Sequence, residues 1–192
     1  MRELTAALIV GGRSTRMGFD KAWIEIESEP LWRRQLATLR ALDPAEIFLC
    51  GAGRDDLDTP DDARELLDAE PDRGPLGGLA AALASSSEPF IVVLAVDLPT
   101  MTTEFLGQLV DEAMAANAGV VPELDGFYQG LAAVYPRALA DCAARLAADV
   151  DHSLQHFIRE GIAAGLLRPR QVTEAERGLF ENWNEPGDIA AS

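Results

Sequence analysis

Cysteine is scarce in this sequence and lysine is scarcer. The two cysteines, Cys50 and Cys142, stand far apart and in no metal-binding spacing. That argues against a disulfide framework and a cysteine-held metal, and for two reduced thiols in a cytoplasmic protein. No apolar run approaches the length of a membrane span. The opening residues, Met1-Arg2-Glu3-Leu4-Thr5, lack the apolar core and small-residue cleavage site of a secretory signal. Positive charge is also short. Sixteen Lys and Arg face 32 Asp and Glu, a formal net charge of -16, and Lys21 is the sole lysine. Such a balance repels a nucleic-acid backbone, so polymer binding is not expected. It repels a nucleoside triphosphate as well, so a phosphate ligand here needs a local basic cluster, a metal ion, or both. Repeats, low-complexity tracts and linkers are missing too. At 192 residues the chain is expected to form one domain over 1–192.

Against this background the stretch Ala7-Leu8-Ile9-Val10-Gly11-Gly12-Arg13-Ser14-Thr15-Arg16-Met17-Gly18-Phe19-Asp20-Lys21 stands out. The apolar run Leu4 to Val10 has the length and side chains of a buried strand. Two glycines follow, where the chain must turn and backbone N–H groups can approach an anion. Arg13, Arg16 and Lys21 then place three cations within nine residues. The spacing is not that of a Walker A loop: five residues separate Gly12 from Gly18, and Phe19-Asp20 intervene before Lys21. Nor does it fit the dinucleotide fingerprint G-x-G-x-x-G.

The rest of the chain alternates strands and helices. Short strands are expected at Trp23–Ile26, Glu46–Cys50 and Glu65–Leu67, and a helix at Leu31–Ala41 ended by Asp43-Pro44. Residues Asp55 to Asp62 read as an acidic, solvated loop. Glu70 to Gly78, with three glycines and two prolines, reads as a loop opening the helix Leu79–Ser85, where backbone donors can face a ligand. Phe90 to Val96 is the strongest strand, buried on both faces and therefore central. It stops at Asp97-Leu98-Pro99. A carboxylate there sits where open α/β sheets bind ligands, and it suits a hard cation such as magnesium. The alternative is a cap or turn residue for the helix Thr102–Ala116. A strand at Gly119–Val121, a turn at Asp125-Gly126, a strand at Leu131–Tyr135, a helix from Pro136 to Ala148 and another from Asp151 to Ala164 follow. The last strand is placed near Leu179-Phe180, with a short helix capped by Asn184 at the end. His152 and His156 share one helix face at i and i+4 but have no third ligand nearby, so a solvated surface is favoured over a metal site. The whole is an α/β pattern: a mostly parallel, doubly wound sheet with helices on both faces.

The loop from Ile9 to Lys21 resembles the signature L-x-G-G-x-S-x-R-M-G-x-D-K of the molybdenum cofactor guanylyltransferases, within the GT-A-like nucleotidyltransferases. The resemblance extends over essentially the whole chain. It implies a Rossmann-like sheet and transfer of GMP from GTP to the phosphate of molybdopterin, with Mg2+ and release of pyrophosphate. By this resemblance Ile9, Val10, Gly11, Gly12, Arg16, Lys21, Asp68 and Asp97 hold the nucleotide. Arg16, Lys21 and Asp97 are the catalytic set, and Asp97 is the metal ligand. Arg73, Gly77, Asn182 and Asn184 face the pterin. The partners implied are GTP, the molybdenum cofactor, and transient contacts with the enzymes that deliver or accept it. The chain departs from the family pattern at Cys50-Gly51, where asparagine is frequent, at Gln129-Gly130 in place of His-Pro, and at Glu185 in place of threonine. A related cytidylyltransferase, a sugar-phosphate nucleotidylyltransferase and a non-catalytic GTP-binding adaptor are the rival readings.

Overall fold

A computed structural model describes residues 2–10, 25–26, 29–52, 58–67, 74–149 and 153–181. The first strand, β1 (Arg2–Ile9), is followed by the short pair β2 (Glu25–Ile26) and β3 (Glu29–Pro30), which form an antiparallel hairpin apart from the main sheet. Next come α1 (Leu31–Arg40), β4 (Pro44–Ala52), β5 (Arg64–Leu67), α2 (Gly74–Ser85) and β6 (Phe90–Ala95). The second half holds α3 (Thr103–Ala116), β7 (Gly119–Leu124), β8 (Phe127–Tyr128), β9 (Ala132–Pro136), α4 (Ala140–Ala147), α5 (Leu154–Ala163) and β10 (Leu167–Gln171).

The main sheet runs β10-β7-β9-β6-β1-β4-β5, with β8 paired to β7. Strands β5, β4, β1 and β6 are parallel neighbours. Strand β9 is antiparallel to both β6 and β7, and β10 returns parallel to β7. The expected doubly wound, mostly parallel sheet is therefore present with one reversed strand inserted beside its centre.

Alternation along the strands feeds two cores. Leu4 and Leu8 of β1, Leu49 of β4 and Val92 of β6 pack on the face covered by α1 and α3. Ala7 and Ile9, Phe48, and Ile91 with Val93 pack on the other face, under α2, α4 and α5. Every residue of β6 is buried, as its unbroken apolar run requires. Asp43, at φ 56°, turns the chain out of α1, and Pro44 opens β4 at a strand's first position, where the missing N–H costs least.

The structure corrects four sequence expectations. Helix α2 begins at Gly74, not Leu79, so Gly74 to Gly78 forms its first turns rather than a loop. Pro75 is tolerated in a first turn, and burial of Leu76, Leu79 and Leu83 offsets the glycines' poor propensity of about 1 kcal/mol each. The helix expected from Pro136 opens with a 3-10 turn over Arg137–Leu139 before α4. Helix α5 starts at Leu154 with Ser153 as its cap, the Ser153 hydroxyl accepting from the His156 N–H at 3.4 Å. The last strand is β10, and Leu179-Phe180 belongs to a 3-10 helix, Glu174–Phe180.

Candidate active site

Strands β1 and β6 run side by side in register, Ile9 opposite Ala95. From their ends the chain departs in opposite directions. After β1 it returns through α1 to β4 on one side; after β6 it returns through α3 to β7 on the other. This is the topological switch point, where an open sheet leaves a crevice at the carboxyl ends of its strands. The strand ends are tied level. The Val96 N–H donates to the Ile9 carbonyl at 3.1 Å, Val10 donates to Cys50 at 3.0 Å, and Ala95 donates to Leu131 at 2.8 Å. The last bond depends on the reversal of β9, which brings that strand's entrance to this edge.

Asp97 stands at this crevice, half-buried, in the turn that follows β6. The turn is fixed at several points. Leu98 and Met101 are buried in the α1/α3 core. The Leu98 carbonyl accepts from the Met101 N–H at 3.1 Å and from the side-chain amide of Gln35 on α1. Thr100 Oγ1 donates to the Gly178 carbonyl at 2.8 Å. Thr102 caps α3, its hydroxyl accepting from the Phe105 N–H at 3.3 Å. The cap role once open for Asp97 thus belongs to Thr102.

Ile9 and Val10 are 4% and 5% exposed, with side chains in opposite cores. They support the edge; a ligand there could meet their backbone only. Gly77 lies half-buried in the opening turns of α2, the helix that follows the carboxyl end of β5. Gly11, Gly12, Arg16, Lys21, Asp68, Arg73, Asn182 and Asn184 lie outside the described residues. The described residues flanking them, Val10 and Leu67, end parallel strands at this same edge.

The 3-10 helix Glu174–Phe180 forms a strap that reaches from β10 to the β7–β8 turn, to α3 and to the turn after β6. Thr173 and Glu176 make a reciprocal capping box. Glu176 also pairs with Arg170 at 2.7 Å, and the Arg170 guanidinium lies 4.8 Å from the centre of the Phe105 ring. Phe180 meets the same ring edge-on at 5.4 Å. Burial opposes ionisation of Glu176, but its bonds from Arg170 and Thr173 outweigh that and hold the carboxyl below its ordinary value. Arg177 grips Asp125 of the β7–β8 turn with two bonds, 3.0 and 2.6 Å, which hold that carboxyl low as well. Asp125 and Gly126, at φ 51° and 82°, form the tight turn expected from Asp-Gly. The strap was legible in principle: Thr173-x-x-Glu176 is a capping-box signature.

Residues 6–166 match the model of the MobA-like NTP transferase domain. The chain belongs to that family. It is 33% identical over 189 residues to the "Probable molybdenum cofactor guanylyltransferase" of Opitutus terrae, covering 96% of this chain and 92% of that protein. It is 30% identical over 181 residues to the molybdenum cofactor guanylyltransferase of Pseudomonas putida, covering 93% and 92%. Among solved structures it is similar to molybdopterin-guanine dinucleotide biosynthesis protein A from Archaeoglobus fulgidus, with a TM-score of 0.77, 23% identity, and coverage of 97% of this chain and 95% of that one. That last likeness shows a shared fold.

Family membership makes the chain a nucleotidyltransferase, an enzyme class that uses a divalent metal. The donor chemistry fits such an ion. Among the described residues no three His, Cys, Asp or Glu side chains form a metal cage. One carboxylate at a ligand crevice, completed by phosphate oxygens and water, is how magnesium-like cations are commonly held. His156 is engaged elsewhere, 3.0 Å from Glu160, which also binds Arg145 and lies 3.4 Å from Cys142. Burial, with Glu160 beside it, pushes the Cys142 thiol up, away from a reactive thiolate. His152 lies outside the described residues. Among the described residues no helix is long and apolar enough to cross a membrane.

Proposed function

We propose that this chain transfers GMP from GTP to the terminal phosphate of molybdopterin, as one nucleotidyltransferase domain over residues 1–192, acting in the cytoplasm. The observation that carries this reading is the position of Asp97 at the switch-point crevice, beside the strand from which the loop Gly11 to Lys21 departs, in a chain whose named relatives are guanylyltransferases. On this reading Asp97 holds a Mg2+ ion. When bound, that ion supplies charge neutralisation at the phosphate oxygens.

The chain's own residues supply the rest. Gly11 and Gly12 let backbone donors approach the base, and Asp68 contacts the guanosine. Arg16 offers a planar fork to two phosphate oxygens, and Lys21 a mobile point charge, as pyrophosphate forms. Arg73, Gly77, Asn182 and Asn184 face the pterin. The attacking phosphate is already ionised near neutral pH, so no general base is needed. Positioning and charge neutralisation carry the catalysis.

The test is pyrophosphate release with molybdopterin and Mg2+, run in parallel with GTP, CTP and ATP. Release with GTP alone, lost in Asp97→Ala and strongly reduced in Lys21→Ala, is the expected outcome. Release mainly with CTP moves the chain to the cytidylyl branch. GTP binding without release under any condition favours a non-catalytic adaptor. Near-normal turnover in both variants removes the site assignment.

A further inference from the structure

Helix α1 turns five buried side chains inward: Leu31, Trp32, Gln35, Leu36 and Leu39. Gln35 is 2% exposed and sits against a core that is otherwise built from apolar side chains. A leucine would satisfy the packing of α1 at that position. An amide buried there costs free energy unless it is hydrogen-bonded. Its Nε2 donates to the carbonyl of Leu98, one residue beyond Asp97 and 63 positions away in sequence.

The bonds on this turn come from several elements. Pro99 has no N–H to give and its φ is locked by the ring. Met101 N–H takes one side of the Leu98 carbonyl at 3.1 Å. Gln35 takes the other from within the core, and Thr100 Oγ1 pins the outer end of the turn to Gly178 at 2.8 Å. The Leu98 carbonyl belongs to the peptide that joins Leu98 to Pro99, so holding it fixes Leu98, the residue to which Asp97 is directly joined, and restricts rotation of the backbone there. We infer that Gln35 is a positioning residue for Asp97, acting through the Leu98 carbonyl, with Thr100 holding the far end of the same turn. This rests on the reading of Asp97 as the ligand of the divalent ion. Outer supports of a metal ligand typically change affinity or activity by about 10–100-fold when removed.

The experiment measures Mn2+ affinity from the loss of the free-ion EPR signal, with GTP and in parallel with CTP, in the full chain. Gln35→Met keeps the length and volume and removes the donor. It is expected to weaken Mn2+ binding about tenfold, and to raise the Mg2+ concentration for half-maximal pyrophosphate release by a similar factor. Leu146→Ala, in the opposite core, serves as a folding control: it lowers the melting temperature and leaves Mn2+ affinity at the wild-type value. If Gln35→Met matches that control, with a lower melting temperature and unchanged Mn2+ affinity, the residue is merely structural and the inference falls. If Gln35→Met does not fold, Thr100→Val on the surface decides. A severalfold weaker Mn2+ affinity upholds the pinned turn, and wild-type affinity overturns it. A preference for CTP would refute the guanylyl reading alone, because the ratio of variant to wild type is read on whichever nucleotide binds.

Discussion

The strap's energetics rest on Glu176, and replacing that residue makes a quantitative test. One carboxylate oxygen accepts from the Thr173 N–H at 2.9 Å and the other pairs with Arg170 at 2.7 Å. The two side chains are only 17% and 18% exposed, so water screens the pair incompletely. Loss of the capping bond costs about 1 kcal/mol. Loss of a hydrogen bond to a charged partner costs about 1.5–3 kcal/mol. Arg170 keeps Glu112 at 3.0 Å and Gln108 at 3.2 Å, so its charge is not stranded and the lower end applies. Glu176→Ala is then expected to lose about 2–3 kcal/mol, a drop of roughly 5–10 °C in melting temperature for a domain of this size. Glu176→Gln keeps one acceptor oxygen and puts an NH2 donor in place of the other, so it loses the charge and one of the two bonds, and about 1–2 kcal/mol is expected. The pH dependence has a definite sign. The folded carboxyl titrates below its ordinary value of 4.5, so its contribution is fully present above that pH and fades as pH falls through the lower folded value. Urea unfolding at pH 7, 5, 4 and 3 should show the gap between wild type and Glu176→Ala narrowing towards pH 3. A gap below about 0.5 kcal/mol at pH 7, or one that stays constant down to pH 3, would refute the reasoning.

Four further outcomes follow from the fold. Gly119→Ala places a Cβ 2.5 Å from the Val134 carbonyl and 2.7 Å from Pro136 Cδ, where the neighbours include backbone, so a loss of about 3 kcal/mol is expected in urea unfolding; an unchanged midpoint would contradict the geometry. Tyr135→Phe removes the donor to the buried Gly130 carbonyl at 2.7 Å and should cost about 1–2 kcal/mol. Burial pushes the Tyr135 phenol well above its ordinary value, so a spectrophotometric titration of the native protein should show it ionising only as the fold is lost. Ser153→Ala should weaken the start of α5 by about 1 kcal/mol, read as faster amide exchange in its first turn.

Much of the fold was legible because its central elements bury whole faces. β6 announces itself as an unbroken apolar run, β1 as an apolar run from Leu4 interrupted by Thr5, and α3 shows an apolar period between Thr102 and Asn117. The start of one element and the whole of another escaped because their signals oppose their structures. Helix α2 carries Gly74, Pro75, Gly77 and Gly78 at its start, a composition that reads as loop until packing against the sheet is counted. Strand β10 reads Leu-Arg-Pro-Arg-Gln, an exposed edge with only Leu167 buried, so no alternation marks it. The site divides in the same way. The place of Asp97 at the crevice could be read because it closely follows the strongest strand. Gln35 could be seen as a member of the α1 face, but its bond to a turn 63 residues away leaves no local pattern. Thr100 and Arg177 act on the strap, and nothing in their neighbourhoods names Gly178 or Asp125 as partners.

The reversed strand and the acidity of the chain bear on one another at the crevice edge of the sheet. Were β9 parallel to β6, its entrance at Leu131 would lie at the opposite end of the sheet. With β9 reversed, the Leu131 carbonyl joins Ala95 there, and the strap brings Arg177 to Asp125 and Glu176 to Arg170. Two carboxylates on this half are thereby paired. In a chain of net charge -16 this matters, because exposed charges act over a Debye length of about 8 Å at physiological salt. An approaching polyphosphate meets compensated carboxylates on the strap side. Three further cations, Arg13, Arg16 and Lys21, follow in sequence after the strand that borders Asp97. Pairing acids with arginines in the strap lowers the repulsion that a polyanion meets on that side, and on the proposed reading the sole lysine adds the attraction.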